Sequence, residues 1–176
     1  DEVALLSTCN RTEVIGTTIN VEKGLTGIVS HLAGTAGMDP VDIQPHVYTF
    51  SGLGVAEHLF RVASGLESMV LGEPQIAGQV KDAFDRAIEV GTARAMLMNL
   101  YRHTLQTVKQ VRTGTEIAKS AVSVSYVAVE LARKVFENLE EKRALLVGAG
   151  EMCELAATHL RERGVKSVDV VNRTLS

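Results

Sequence analysis

The stretch LLVGAGEMC, residues 145–153, determines the fold predicted for the last part of this chain. An apolar run ends there in a Gly-x-Gly turn, and a helical pattern follows from Glu151 to Arg163. A second apolar run, Ser167 to Val171, comes next. A strand, a helix and a parallel strand within about 30 residues form a βαβ unit. This unit predicts the start of an α/β domain, built on a parallel sheet, over residues 140–176.

The glycine turn also predicts a dinucleotide site and a Rossmann-type fold. Gly148 permits the sharp turn, and Gly150 lets the backbone approach a pyrophosphate that the helix N-terminus attracts. Cys153 stands at the third small position of the usual fingerprint, where glycine is commoner. We therefore expect cofactor contacts from the turn and the first helical residues: Gly148, Ala149, Gly150, Glu151, Met152 and Cys153. The alternative is a turn with a purely structural role.

The end of the next predicted strand favours NADPH over NADH. An NAD site commonly places an acidic residue about 20 residues after the glycines, against the ribose 2′-hydroxyl. Asp169 lies inside the predicted strand instead, and the strand is followed by Asn172, Arg173 and Thr174. A guanidinium with amide and hydroxyl neighbours suits the 2′-phosphate of NADPH. A solvated Asn-Arg turn is the alternative.

The first part of the chain has a less regular pattern. Apolar and β-branched runs predict strands at Glu2–Ser7, Thr12–Ile19 and His46–Phe50, the first of them buried. Helical periodicity predicts helices over 25–36, from a Ser51 N-cap to 66, from Pro74 to Gly91, and near 94–112 and 121–139. These elements predict a small α+β domain over residues 1–139. A charged stretch at 137–143 marks its expected boundary.

Cys9 stands where the first two predicted strands join, in the sequence Thr8-Cys9-Asn10-Arg11. A free thiol is mostly protonated at neutral pH, and a nearby guanidinium favours the reactive thiolate. Arg11 can alternatively clamp a carboxylate, because its planar fork binds one through two hydrogen bonds. A buried structural cysteine is the competing interpretation. Two isolated cysteines, Cys9 and Cys153, indicate a reducing compartment rather than a disulfide scaffold.

A second set of polar residues lies around residues 58–79. His58 occupies an otherwise apolar helical pattern, where a histidine is more often packed than catalytic. The segment SGLESMVLGEPQIAGQ, residues 64–79, adds several polar groups, and helix capping is their alternative role. Ten helical residues rise about 15 Å, so His58 and Ser68 cannot contact one small molecule from an unbroken helix. Either Gly65 ends that helix, or the two residues serve different parts of a large substrate.

The charge pattern bears on nucleic-acid binding. The net charge of -3 gives no global attraction to a polyanion, and no apolar run reaches the length of about 18 residues that a membrane span needs. Residues 90–115 nevertheless contain no Asp or Glu and carry Arg94, Arg102, Lys109 and Arg112. At about 100° per residue, these four cations share one side of a helix. They predict either a solvated face with partner acids on another segment or a contact with RNA phosphates.

Four segments together resemble the glutamyl-tRNA reductase family: STCNRTE at 7–13, GLESMVLGEPQIAGQV at 65–80, SAVSV at 120–124 and GAGE at 148–151. Their order and spacing match that family over essentially the whole chain, and the first two motifs are long and peculiar to it. The resemblance implies NADPH-dependent reduction of glutamyl-tRNA to glutamate-1-semialdehyde, the first step of tetrapyrrole biosynthesis.

The resemblance also implies roles for individual residues. Cys9 becomes the nucleophile that takes the glutamyl group from tRNA as a thioester, which NADPH then reduces, and His58 becomes the histidine that supports activity. The implied substrate pocket contains Thr8, Asn10, Arg11, Ser68, Glu73, Pro74, Gln75 and Gln79, with Arg11 as the partner of the substrate carboxylate. Ile15 stands where an aromatic residue is expected, a departure that concerns packing.

The resemblance finally implies a larger protein with further NADPH-domain elements and a dimerisation domain, so residues 1–176 alone are expected to be inactive. It implies a homodimer, product transfer to glutamate-1-semialdehyde aminomutase, and a cytoplasmic location, or the plastid stroma in a photosynthetic eukaryote. Two alternatives stay open. One is a thiol-dependent NADP acyl or aldehyde dehydrogenase that uses no tRNA, and the other is a non-catalytic NADP-binding module.

Overall fold

The structure, a computed structural model, describes residues 1–117 and 124–173. The chain divides into two compact units, residues 1–119 and 120–176. The first unit contains β1 (Glu2–Ser7), β2 (Thr12–Thr17), α1 (Val21–Ala36), α2 (Pro40–Ile43), a 3₁₀ turn (Gln44–His46), α3 (Leu53–Ala63), α4 (Gln75–Glu89) and α5 (Ala95–Gly114). The second contains α6 (Val124–Phe136), β3 (Arg143–Val147), α7 (Glu151–Glu162) and β4 (Ser167–Val171). The expected α+β unit followed by a βαβ unit is confirmed.

The core of the first unit lies between a β-hairpin and its helices. β1 and β2 are antiparallel, with Glu2 opposite Thr17 and Ser7 opposite Thr12, and α4 packs against β1. The sequence predicted β1 as a buried strand, but its burial alternates, and Val3 and Leu5 are 41% and 51% exposed. The helices cover the opposite face of the hairpin, which carries Ala4, Leu6 and Ile15. These three side chains pack in the core with Leu59, Val62, Ile76, Val80, Phe84 and Leu97.

The start of the hairpin is joined to α5 through Glu2. The Glu2 carboxylate accepts the backbone N–H groups of Arg94 at 2.9 Å, Met96 at 3.1 Å and Leu97 at 2.8 Å. These N–H groups lack partners within the helix, so an acidic side chain from β1 caps it. The hydrogen bond from Leu97 is the main reason that the pKa of Glu2 lies below its usual value.

Two predictions for residues 46–53 are wrong. The predicted strand His46–Phe50 is replaced by the end of the 3₁₀ turn and an irregular segment, because its aromatic side chains pack around His58 rather than along a sheet. The N-cap of α3 is Gly52 and not Ser51. Gly52 has φ 58°, a conformation that favours glycine.

Two glycines shape the loop between α3 and α4. Gly65, with φ 77°, follows the end of α3, and Leu66 donates back to the Arg61 carbonyl at 2.9 Å. Gly65 therefore ends the helix, which confirms the first of the two alternatives for this segment. Gly72 donates to the Gly65 carbonyl at 2.9 Å and closes the loop. A Cβ atom on Gly72 would lie 2.6 Å from the carbonyl oxygen of Ile117, so the closure requires glycine.

The second unit is built around the expected parallel pair. Arg143 lies opposite Ser167 and Val147 opposite Val171, with α7 packed on both strands. α6 also packs against α7. The compact units thus separate before α6, whereas the sequence placed the domain boundary in the charged stretch after it. The functional assignment of residues 1–139 and 140–176 stays a prediction, and most of the 120–124 motif lies outside the described residues.

Candidate active site

The turn between β1 and β2 presents Cys9. The Thr8 hydroxyl oxygen accepts the N–H groups of Asn10 and Arg11, each at 3.2 Å. The Thr8 N–H donates to the Arg11 carbonyl at 2.8 Å. Hydroxyl and backbone bonds of this kind hold a tight turn in one conformation. Cys9 is exposed on that turn, which excludes the alternative of a buried structural cysteine.

Glu13, a residue not predicted from the sequence, holds the site together. Its side chain is 7% exposed, and its Oε1 atom lies 3.1 Å from Nη1 of Arg11 and 3.1 Å from Nε2 of His58. The Tyr48 hydroxyl donates to the same oxygen. A buried carboxylate is costly unless it is hydrogen-bonded, and these partners satisfy Glu13. Arg11 and His58, predicted from separate parts of the sequence, are thereby brought together.

Two aromatic side chains from the irregular segment after α2 surround His58. Phe50 stacks on the imidazole with ring centroids 4.4 Å apart, and Tyr48 meets its edge at 5.4 Å. Burial, reinforced by the hydrogen bond to Glu13, raises the pKa of Tyr48 to about 12. Tyr48 therefore keeps its proton at neutral pH and acts as a hydrogen-bond donor.

The contact with Glu13 assigns the proton on His58. An ionised carboxylate has only acceptor atoms, so Nε2 of His58 carries a hydrogen in this pair. In the neutral ring, Nδ1 is then the atom with a lone pair. The geometry thus leaves one defined atom of His58 for accepting a proton from another group.

Arg11 also connects the turn to the loop after α3. Its Nη2 atom donates to the carbonyl oxygen of Glu67. The Glu67 carboxylate in turn accepts from Nε of Arg61 at 2.6 Å, a bond that lowers the pKa of Glu67. A guanidinium has five N–H donors, so Arg11 keeps donors for a further acceptor besides these protein contacts. These remaining donors agree with the predicted role of Arg11 in binding a carboxylate.

A cleft of about 660 Å³ opens beside these groups. Three of the predicted site residues line it, namely Asn10, Arg11 and His58. Cys9 directly precedes Asn10 on the turn but does not line the cleft itself. Other residues that line the cleft were not predicted from the sequence, among them Tyr48, Phe50, Arg61 and Glu67.

The remaining predicted pocket residues lie outside this cleft. The Ser68 hydroxyl is buried and has no hydrogen-bond partner in the described part of the chain. The Pro74 carbonyl accepts from Nη2 of Arg112 at 3.2 Å. Glu73, Gln75 and Gln79 are partly buried at the end of the loop and on α4. The role of these residues as a substrate pocket stays a prediction.

The predicted cofactor turn of the second unit has a suitable shape. Gly148, with φ 114°, donates to the Val171 carbonyl at 2.7 Å, so the turn is joined to the end of β4. Gly150 is the N-cap of α7, and no side chain caps that helix. A Cβ atom on Gly150 would meet nothing within 4 Å. An open, glycine-capped helix N-terminus fits a pyrophosphate group.

The described residues after β4 include no acidic side chain of the kind that an NAD site places against the ribose 2′-hydroxyl. Asp169 pairs with Arg143 at 3.2 Å, in the middle of the strand pair. Asn172 and Arg173 are exposed beyond the strand, and Thr174 lies outside the described residues.

Among the helices that the structure describes, none is long and apolar enough to cross a membrane.

Comparisons with known proteins divide the chain in a similar way. Residues 1–115 match the family model for the glutamyl-tRNAGlu reductase N-terminal domain. Residues 130–176 match the model for shikimate/quinate 5-dehydrogenase. The second match agrees with the Rossmann-like character of the βαβ unit.

Similar proteins are known from several microorganisms. The glutamyl-tRNA reductase of Geobacter metallireducens is 49% identical over 173 residues, which cover 98% of this chain and 40% of that protein. The one from Syntrophobacter fumaroxidans is 48% identical over 99% of this chain and 38% of its own length. The solved structure of glutamyl-tRNA reductase from Methanopyrus kandleri matches with a TM-score of 0.59 and 39% identity, over 98% of this chain and 40% of that one. This chain spans about two fifths of the relatives that it matches.

Proposed function

The chain belongs to the glutamyl-tRNA reductase family, and from that premise we propose that the protein reduces glutamyl-tRNA to glutamate-1-semialdehyde with NADPH, the first step of tetrapyrrole biosynthesis. One observation supports this most directly. An exposed cysteine lies on a hydrogen-bonded turn that continues into a cleft, where Arg11 and His58 share one buried carboxylate. The family match favours this function over a dehydrogenase that uses no tRNA.

Cys9 is the nucleophile in this proposal. Its sulfur attacks the carbonyl carbon of the ester between glutamate and tRNA, and a carbon–sulfur bond forms as the bond to the tRNA oxygen breaks. The tRNA leaves with a free hydroxyl and the glutamyl group stays on Cys9 as a thioester. The fixed turn supports this role, because a nucleophile held in one position loses little freedom on reaction.

His58 moves the proton in this exchange. Its Nδ1 lone pair accepts the thiol proton of Cys9 and returns it to the departing tRNA oxygen. The tautomer supports proton transfer over stabilisation of an oxyanion, because Nδ1 of the neutral ring has no hydrogen to donate. Glu13 acts as a positioning residue that holds this tautomer and ring orientation.

Arg11 binds the carboxylate of the glutamyl group through the donors that its protein contacts leave available. Ser68 is the best supported of the other pocket residues, since its buried hydroxyl has no partner among the described residues. A substrate group that hydrogen-bonds to this hydroxyl would remove the cost of leaving it unpaired. Thr8 holds the turn, and we assign Glu73, Pro74, Gln75 and Gln79 to the outer part of the pocket.

The second unit would hold NADPH through the turn at Gly148–Gly150 and the first residues of α7. Its glycines and a helix N-terminus without a side-chain cap suit the pyrophosphate, and Arg173 suits the 2′-phosphate because it is exposed and forms no ion pair within the described residues. When bound, NADPH would supply the hydride that converts the acyl carbonyl to an aldehyde, and the carbon–sulfur bond to Cys9 then breaks to release the thiolate. Thr174 belongs to this assignment through the sequence pattern.

The assembly and location of the complete protein are also part of the proposal. A homodimer and transfer of the product to glutamate-1-semialdehyde aminomutase rest on family membership. A reducing compartment, the cytoplasm or the plastid stroma, is supported by Cys9 and Cys153, which are both free thiols.

The decisive experiment replaces the nucleophile. In the complete reading frame that contains this chain, we expect Cys9→Ser to bind glutamyl-tRNA but to form no semialdehyde and no acyl-enzyme detectable by mass spectrometry. Cys153→Ser, which alters the other thiol, is the matched control and should still form the Cys9 thioester. Normal semialdehyde production by Cys9→Ser would overturn the thioester mechanism. Equal use of a free glutamyl thioester and glutamyl-tRNA would favour the dehydrogenase alternative.

A further inference from the structure

One side of α5 carries three cations, the exposed Arg102 and Lys109 and the half-buried Arg112, which we call the α5 stripe. At about 100° per helical residue they lie within about 80° of one another around the axis. Arg94 was predicted to belong with them, and that prediction is wrong. It is the N-cap residue, with φ −130° and ψ −147°, so its backbone lies before the helix and its position does not follow the helical period.

No carboxylate neutralises the α5 stripe within the described residues. Arg102 donates to the Asn99 side-chain oxygen at 2.6 Å, and Arg112 donates to the backbone carbonyl of Pro74. Both are neutral acceptors, and Lys109 is exposed. In the part of the chain that the structure describes, no ion pair supports the alternative that acids on another segment balance these charges.

Two of the three acids of the adjacent helix are paired with cations of that helix. α4 packs against α5, but its Asp85 pairs with Lys81 at 2.5 Å and accepts from Tyr101 at 2.8 Å. Glu89 of the same helix pairs with Arg86 at 2.6 Å. Because residues 90–115 contain no acid, the stripe is a local positive surface on a chain of net charge -3.

One end of the stripe lies at the loop assigned to the substrate pocket. Arg112 contacts the Pro74 carbonyl at 3.2 Å, and Pro74 directly precedes α4. From Arg112 the stripe extends back along α5 to Arg102, ten residues or about 15 Å away. A ligand with its reactive end near the loop and a polyanionic remainder can therefore follow the stripe away from the site.

We propose that the α5 stripe binds backbone phosphates of the polynucleotide part of glutamyl-tRNA, an inference that rests on the proposed function. Lys and Arg contacts to phosphates carry no sequence information, so they position a nucleic acid without selecting it. Since the net charge of the chain is unfavourable for a polyanion, local attraction of this kind supplies the electrostatic part of binding.

The test uses the complete reading frame with Arg102→Glu/Lys109→Glu and, as a milder change, Arg102→Gln/Lys109→Gln. Lys23→Glu/Lys134→Glu is the matched control, because it reverses two exposed cations on α1 and α6. Binding of glutamyl-tRNA is measured from about 50 to 200 mM salt. Reduction of glutamyl-tRNA is compared with reduction of the glutamyl ester of its terminal adenosine, which lacks the polynucleotide.

We expect the reversed pair to weaken tRNA binding roughly tenfold at low salt. The slope of log affinity against log salt should flatten by about 1.4 to 1.8, since each lost phosphate contact removes about 0.7 to 0.9. The neutral pair should change both quantities in the same direction, while the control and all reactions of the adenosine ester stay at wild-type values. Unchanged binding and slope in both α5 variants would overturn the stripe as a phosphate site. A wild-type protein that reduces neither substrate would overturn the proposed function instead.

Discussion

Nε2 of His58 lies 3.1 Å from Oε1 of Glu13, although the two residues are 45 positions apart in the sequence. Glu13 follows the Cys9 turn on β2, while His58 comes from the middle of α3. Their contact therefore joins the element that carries the thiol to the element that carries the imidazole. Because the same carboxylate oxygen also accepts from Arg11, the orientation of both groups depends on one buried charge.

Glu13→Gln should damage activity more than its small change in shape suggests. The amide removes the charge that fixes the Nε2 hydrogen of His58, and it places a donor among the donors of Arg11 and Tyr48. We expect kcat to fall about tenfold to a hundredfold, with a smaller change in KM for glutamyl-tRNA. The free energy of unfolding should fall by about 1 to 3 kcal/mol.

Two measurements check the Glu13 prediction. Steady-state kinetics across a range of pH should show an altered profile for the variant, since the histidine loses its carboxylate partner. Glu22→Gln, at an exposed position on α1, is the matched control and should retain the wild-type profile. Wild-type kcat and an unchanged pH profile for Glu13→Gln would show that Glu13 has only a packing role.

Arg173→Ala should discriminate between the two nicotinamide cofactors. Only NADPH has the 2′-phosphate, so removal of the guanidinium should weaken NADPH binding by about 10- to 150-fold and leave NADH binding nearly unchanged. Calorimetric titration of the complete protein with each cofactor measures both affinities. Arg143→Ala removes an exposed guanidinium that pairs with the exposed Asp169 side chain of β4, and it serves as the control. Equal losses for NADPH and NADH in Arg173→Ala would contradict the assignment.

Local patterns predicted the parts of the fold that local forces determine. The bounds of β1 and β4 agree with the apolar runs at Glu2–Ser7 and Ser167–Val171, and Gly148 takes the expected sharp turn. The strand at His46–Phe50 failed for a tertiary reason. Its β-branched and aromatic residues are typical of strands, but Tyr48 and Phe50 pack on a histidine from another element.

The Glu13 cluster was only partly predictable. Side chains alternate along a strand, so Glu13 and Ile15 share a face, and a charged residue on a core-facing side is a signal of function or pairing. That signal was available in the sequence. The partners were not, because Tyr48 is 35 residues away and reaches Glu13 only through the path of the irregular segment after α2.

Gly72→Ala should destabilise the loop that carries Ser68 and Glu73. Gly72 has φ 77°, and an added Cβ atom would lie 2.6 Å from the Ile117 carbonyl oxygen, so the substitution is strained in both backbone and packing. We expect the free energy of unfolding to fall by at least about 1 to 3 kcal/mol in urea titrations. Gly78→Ala is the matched control within α4, where a Cβ atom meets nothing within 4 Å. That control should gain about 0.5 to 1 kcal/mol, and a Gly72→Ala protein of wild-type stability would contradict the closed loop.

Glu2→Gln should change the pH dependence of stability. The pKa of Glu2 is held below its ordinary value of 4.5 because the carboxylate accepts the Leu97 N–H and two neighbouring N–H groups at the start of α5. A depressed folded-state pKa gives a stabilising contribution that is complete above pH 4.5 and is lost as pH falls through the folded value. The wild-type chain should therefore be more stable than Glu2→Gln at neutral pH, and the difference should shrink on acidification below about pH 4.5.

Urea unfolding of both proteins between about pH 3 and pH 7 measures this difference, and comparison with the variant separates Glu2 from Glu67 and Asp85, whose pKa values are also lowered. Glu22→Gln, an exposed acid on α1, should follow the wild-type curve. A stability difference between wild type and Glu2→Gln that stayed constant through this range would show that the ionised carboxylate does not cap α5.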